Sequence, residues 1–131
     1  MIKFTVPGEP KGKGRPIVTK HGTYTPETTV NYENWVKICF QEARQQMLTG
    51  QLNAELKCFY SIPKSFTKKK REDASNCILR PTKKPDIDNI CKIIFDSLNG
   101  LAYADDKDIV SCKVDKYYSD NPRVEVEIWM V

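Results

Sequence analysis

Polar and apolar residues alternate along "IKFTV", which predicts a strand over residues 2–6. "PGEPKGKGRP" holds too much Gly and Pro for regular structure. "IVTKHGTYT" predicts two short strands about a turn at His21-Gly22. Thr25-Pro26 then signals a helix start, with Thr25 as N-cap and Pro26 as the first helical residue. Tyr32, Trp35, Val36, Cys39, Ala43 and Met47 recur at helical spacing, so a helix is expected over residues 26–48, ending near Gly50. Its Trp and Tyr are expected to pack in the core.

Leu52, Ala54, Leu56, Cys58, Tyr60 and Ile62 fall on alternate positions, which predicts a strand with one buried face. A short helix is expected from Lys68, capped by Thr67. "RPTKKP" is a loop, because proline restricts itself and the residue before it. The clearest helical stripe comes next: Ile87, Ile90, Cys91, Ile94, Phe95 and Leu98, stopped by Asn99-Gly100. Two more strands, "IVSCKVDKYY" and "RVEVEIWMV", are joined by a turn at Asp120-Asn121-Pro122. The order of elements predicts a mixed α/β (α+β) fold, an antiparallel or mixed sheet covered by two main helices.

A length of 131 residues fits one domain spanning the chain, and 40% apolar with 29% charged residues is ordinary for a globular protein. The five cysteines are odd in number and widely spaced, with no C-x-x-C, which argues against a disulfide framework or a zinc site. A single His21 leaves little room for Ser-His or Cys-His catalysis. The first ten residues lack an apolar signal core, and no apolar stretch is long enough for a membrane span. A reduced, cytoplasmic setting without membrane partners is expected.

Net charge is only +4, but its distribution is uneven. Lys64, Lys68, Lys69, Lys70, Arg71, Arg80, Lys83 and Lys84 face two acids, Glu72 and Asp73, in the same segment. "KGKGR" adds Lys11, Lys13 and Arg15. Such runs attract polyanions, and a phosphate backbone is the obvious one. Lys68, Lys69, Lys70, Arg71, Lys83 and Lys84 are expected to supply most phosphate contacts, with Lys11, Lys13 and Arg15 weaker.

Directly after the basic run comes "KKPDIDNICKIIFDSLNGLAYADDKDIV". Asp86 stands at the helix start, and Asp88, Lys92 and Asp96 form a row at i, i+4, i+8 beside the apolar stripe. Taken alone, Asp86 and Asp88 also suit helix capping, and Lys92 with Asp96 an ion-pair ladder. Asp105, Asp106 and Asp108 follow in a short loop. Clustered carboxylates repel one another unless a cation neutralises them. Oxygen ligands without His or Cys suit Mg²⁺ or Mn²⁺.

The pattern D-x-D-N-x-x-K-x-x-x-D followed by D-D, read here as "DIDNICKIIFD" and "ADDKDIV", resembles the RusA Holliday-junction resolvases. "IPKSFTKKKRED" and the opening strand before "PKGKGRP" resemble that family too. The resemblance implies a small homodimer of mixed α/β fold that nicks four-way DNA junctions with Mg²⁺ or Mn²⁺. By position it implies metal-binding carboxylates at Asp86, Asp88 and Asp106 and a catalytic lysine at Lys92. Asp96 and Asp105 match recurrent positions of supporting role. A non-catalytic DNA-binding protein and a broader flap or fork nuclease remain the alternatives.

Overall fold

In the computed structural model, which describes residues 1–131, the elements run β1 Ile2–Pro7, β2 Ile17–Thr19, β3 Gly22–Tyr24, α1 Glu27–Glu42, β4 Leu52–Ser61, α2 Lys68–Ser75, α3 Ile87–Ser97, β5 Ile109–Ser119 and β6 Arg123–Met130. A one-turn 3₁₀ segment, Asp106–Asp108, leads into β5. Four strands form one sheet in the order β1-β6-β4-β5, while β2 and β3 form a separate hairpin. β6 is antiparallel to β1 and β4, and β5 is parallel to β4, so the sheet is mixed.

Register explains the core. Phe4 lies opposite Val126, Val126 opposite Leu56, and Leu56 opposite Val114. Each strand has a period of two, so this row and its neighbours face one side. α1 and α3 cover that side, bringing Val36, Phe40, Ile90, Ile93, Ile94 and Leu98 onto the strands. The other side is largely polar and charged.

Five expectations shift. α1 stops at Glu42 rather than Leu48, because Arg44 adopts a positive φ of 52° and the chain turns away. Leu48 then donates its N–H to Ala102 O at 2.8 Å, which fixes the departing segment against the turn after α3. Thr25 is not the cap of α1; Pro26 occupies the N-cap position. Tyr32 is core, but Trp35 and Met47 are exposed. In α3, Ile87 is exposed, and Ile93 and Ser97 are buried, because the helix packs against α1 on one flank as well as on the sheet and so buries more than one stripe. Finally, β5 and β6 are joined by the expected turn but are not neighbours; β4 lies between them.

All five cysteines are free. No helix is long and apolar enough to cross a membrane.

Candidate active site

α3 presents the aspartates, and two strands hold its start. Tyr60 of β4 donates its hydroxyl to Pro85 O at 2.6 Å, and Lys116 of β5 donates to Lys83 O at 2.6 Å. The Lys84–Pro85 peptide is cis. Asp86 then takes the N-cap position with φ −72° and ψ 158°, outside the helical region. Its side chain makes no capping hydrogen bond. A capping role therefore does not account for Asp86; its exposed carboxylate is directed into a groove.

That groove, of about 610 Å³, is lined by Lys11, Lys13, Arg15, Lys84, Asp86 and Asn89 among others, with no hydrophobic side chain. The loop of residues 10–16 forms its far wall. Its glycines are there because the chain passes close to both helices. A Cβ on Gly12 would sit 3.0 Å from Asn89 Nδ2, and one on Gly14 2.9 Å from Thr29 Oγ1. Gly14 uses the gap to donate its N–H to Thr29 Oγ1 at 2.8 Å. Lys92 is exposed and lines the continuation of this groove beside Lys13 and Arg15. It forms neither of the ion pairs with Asp88 or Asp96 that helical spacing allows.

Asp96 pairs instead with Lys13, whose Nζ lies 2.7 Å from Asp96 Oδ2 and 3.8 Å from Glu33 Oε2. The hydrogen bond from Asp96 is the main cause that raises the Lys13 pKa above its ordinary value, so the ammonium stays charged. Asp106 joins this group from the other side. Its backbone N–H donates to Asn99 Oδ1 at 2.8 Å, while Tyr103 donates its hydroxyl to Phe95 O at 2.7 Å and anchors the turn. Asp105 hydrogen-bonds the Asp106 carboxyl and raises its pKa; burial and the Asp96 charge push the same way. The backbone N–H of Lys107 holds Asp105 below its ordinary value. Asp108 lies beside Lys107 at 3.9 Å.

The predicted residues thus form two groups along α3. Asp96, Asp105, Asp106 and Lys13 gather at its C-terminal end. Asp86 lies in the basic groove at the N-terminal end, and Asp88 near Cys91, whose pKa the hydrogen bond with Cys112 lowers against the opposing effects of burial and the Asp88 charge. Cys91 in turn has the Cys112 thiol of β5 as its hydrogen-bond partner. No three His, Cys, Asp or Glu side chains of one chain converge closely enough to hold a metal ion. The donor chemistry still fits a hard divalent cation. The aspartates offer only oxygen, and the crowding that raises the Asp106 pKa is a repulsion that a cation relieves.

The basic residues divide as well. Lys11, Lys13, Arg15 and Lys84 line the groove. Lys68, Lys69, Lys70 and Arg71 lie on α2, which packs against β5 and lines none of it. Sequence reasoning missed Asn99, Tyr60 and Lys116 as positioning residues, and it did not foresee the pairing of Lys13 with Asp96. Only the Asn99-Gly100 helix stop hinted at the first of these.

Comparison with known proteins agrees with this layout. The model of the endodeoxyribonuclease RusA family matches residues 7–129. The chain is also 41% identical over 134 residues to the uncharacterized protein YqaN of Bacillus subtilis (strain 168), covering 97% of this chain and 94% of that one. The match runs from the end of β1 through β6 and takes in both aspartate groups, and the chain belongs to the endodeoxyribonuclease RusA family.

Proposed function

We propose that this protein is a divalent-cation-dependent endodeoxyribonuclease that resolves four-way DNA junctions by paired nicks. The observation that supports it most is the joining of a basic, wholly non-hydrophobic groove to an uncapped Asp86, within a chain of the RusA family. Phosphates bind to Lys11, Arg15 and Lys84 along the groove, and this binding weakens as salt rises. Asp86, Asp88 and Asp106 are the carboxylates offered to Mg²⁺, with Mn²⁺ as substitute; because they lie at the two ends of α3, one ion held by all three requires them to converge when metal and DNA bind, and Asp96 and Asp105 support Asp106. When bound, the cation supplies charge neutralisation at the scissile phosphate and makes water more acidic. Lys92 directs its ammonium at the same groove and stabilises charge that develops on the phosphate during attack. Asp96 holds Lys13 in place before DNA arrives.

A two-fold dimer would present two equivalent sites to a junction that is itself roughly two-fold. Sedimentation giving a monomer at micromolar concentration would remove this part.

The test is cleavage of a labelled junction with Mg²⁺ or Mn²⁺, wild type beside Asp88→Asn, which keeps shape and removes charge. Paired nicks lost in the variant, with binding retained, are expected. Equal cleavage clears Asp88 of its role. No cleavage by either protein at saturating binding makes this a binding protein. Cleavage of forks or linear duplex at the same rate makes it a broader nuclease.

A further inference from the structure

A second hollow adjoins the groove, and neither the cleavage chemistry nor phosphate binding uses it. It has a volume of about 300 Å³ and is lined by Lys11, Thr28, Asn31, Tyr32 and Trp35. Lys11 and Thr28 also line the groove that holds Asp86, so the two spaces are continuous. The four α1 residues follow at i, i+3, i+4 and i+7, one face of the helix.

Three features of the lining point to a ligand. Trp35 is 39% exposed, the one aromatic ring of α1 left open to solvent, since Tyr32 and Phe40 are buried. Its indole Nε1 donates to Pro7 O at 2.8 Å, which fixes the ring and satisfies its only polar atom. What remains open is a fixed aromatic surface. Tyr32 is 6% exposed, and its hydroxyl is the only buried side-chain polar atom without a well-formed hydrogen bond; the backbone of Lys11 approaches it without closing one. Buried polar groups without partners are rare and ask for an explanation. Asn31 adds an exposed amide with both donors and an acceptor.

We propose that this hollow receives one unpaired nucleobase of the DNA whose backbone occupies the groove. An aromatic surface stacks on any base, and stacking does not depend on sequence. The exposed Asn31 amide meets the polar edge of the base, and a small outward shift of the Lys11 loop that covers it would let the Tyr32 hydroxyl join. Lys11 binds the adjacent phosphate and joins the two spaces. A base inside a duplex has its faces stacked and its pairing edge occupied, so the hollow selects DNA that is open beside the cleavage point. A base next to a branch is the least costly to extrude, because it has already lost part of its stacking. The inference rests on the DNA-cleaving reading above for its ligand.

The chain has two tryptophans, so Trp129→Phe leaves Trp35 as the sole emitter. Its emission is titrated in EDTA, without cleavage, with an oligothymidylate and with an abasic oligonucleotide of the same length. The expected result is strong quenching by the oligothymidylate, with affinity about tenfold tighter than for the abasic strand. In the protein retaining Trp129, Trp35→Leu should abolish this preference by anisotropy, and Tyr32→Phe should reduce it. Equal affinity and equal quenching by the two strands would overturn the proposal, since only the backbone would then be bound. Junction cleavage by the Trp129→Phe protein is measured in parallel. Cleavage without base-dependent quenching removes the hollow and leaves the nuclease. Base-dependent quenching without cleavage keeps the hollow and removes the nuclease.

Discussion

Loop 11–15 and helix α2 are the two most basic stretches of this chain, and the fold uses them in opposite ways. α2 is the denser, with Lys68, Lys69, Lys70 and Arg71 in sequence. Much of that charge is turned on its own surroundings. Arg71 donates to Lys64 O at 3.1 Å and to Phe66 O at 3.3 Å, which closes the turn before the helix. Lys69 pairs with Asp73 at 3.3 Å, and Lys70 lies over the Phe66 ring at 5.5 Å. Loop 11–15 has fewer charges, but glycines let it lie against α1 and α3, where its cations meet Asp86 and Asp96. Charge density along the chain therefore does not rank the two. Their opposing acidic groups do, and these come from residues more than seventy positions away, 83 in the case of Lys13–Asp96.

The sharpest test of that contrast is Lys13→Met. It removes the cation that pairs with Asp96 and Glu33, and cleavage of bound junction should fall about 100-fold, with affinity changed less than about threefold. A loss of affinity at unchanged cleavage rate would make Lys13 an ordinary phosphate contact. Next comes Gly14→Ala, whose added methyl meets Thr29 Oγ1 at 2.9 Å and Pro26 at 3.1 Å. Thermal or urea unfolding should show a loss of about 1–3 kcal/mol, because neither neighbour can retreat without moving α1. An unchanged midpoint would mean that the loop is not held against the helix.

Charge removal compares the two segments directly. Lys11→Ala with Arg15→Ala should weaken junction binding about tenfold and lower the salt slope by roughly two. Lys68, Lys69 and Lys70 all changed to Ala should cost less than about threefold. The reverse order would return α2 to the leading place that its charge density suggests. Smallest is Arg71→Ala, which loses two hydrogen bonds to carbonyls and should cost about 1 kcal/mol of stability with little effect on DNA binding.

Legibility in the sequence followed the range of the interactions. β4 and α3 were readable because their burial patterns are local: Leu52, Ala54, Leu56, Cys58 and Tyr60 alternate, and the α3 stripe ends at an asparagine-glycine stop. The end of α1 was not readable. Residues 43–48 have adequate helix propensity, and a tertiary hydrogen bond from Leu48 to Ala102 helps divert them. The aspartates drew notice through spacing alone. That spacing pairs Lys92 with its helix neighbours, whereas the fold gives Asp96 to Lys13 and leaves Lys92 facing the groove. Strand order was hidden for a similar reason: a three-residue turn between β5 and β6 reads as a hairpin, and only the completed sheet puts β4 between them.

That last arrangement bears on how the chain reaches its native state. β5 and β6 cannot zip together from their turn, the fast local route open to a hairpin. β6 must find β4 and β1, the latter more than a hundred residues earlier in the chain, and β5 must dock on the opposite edge of β4. Nearly every strand pairing in the main sheet is thus long-range, and closing large loops before any contact rewards them slows folding. A misplaced β5–β6 hairpin is the nearest competitor, and it would leave β4 with an open edge. Refolding is therefore expected in the slower part of the range for small mixed domains, and the first strand to commit is the central one that neither of its later neighbours adjoins in sequence.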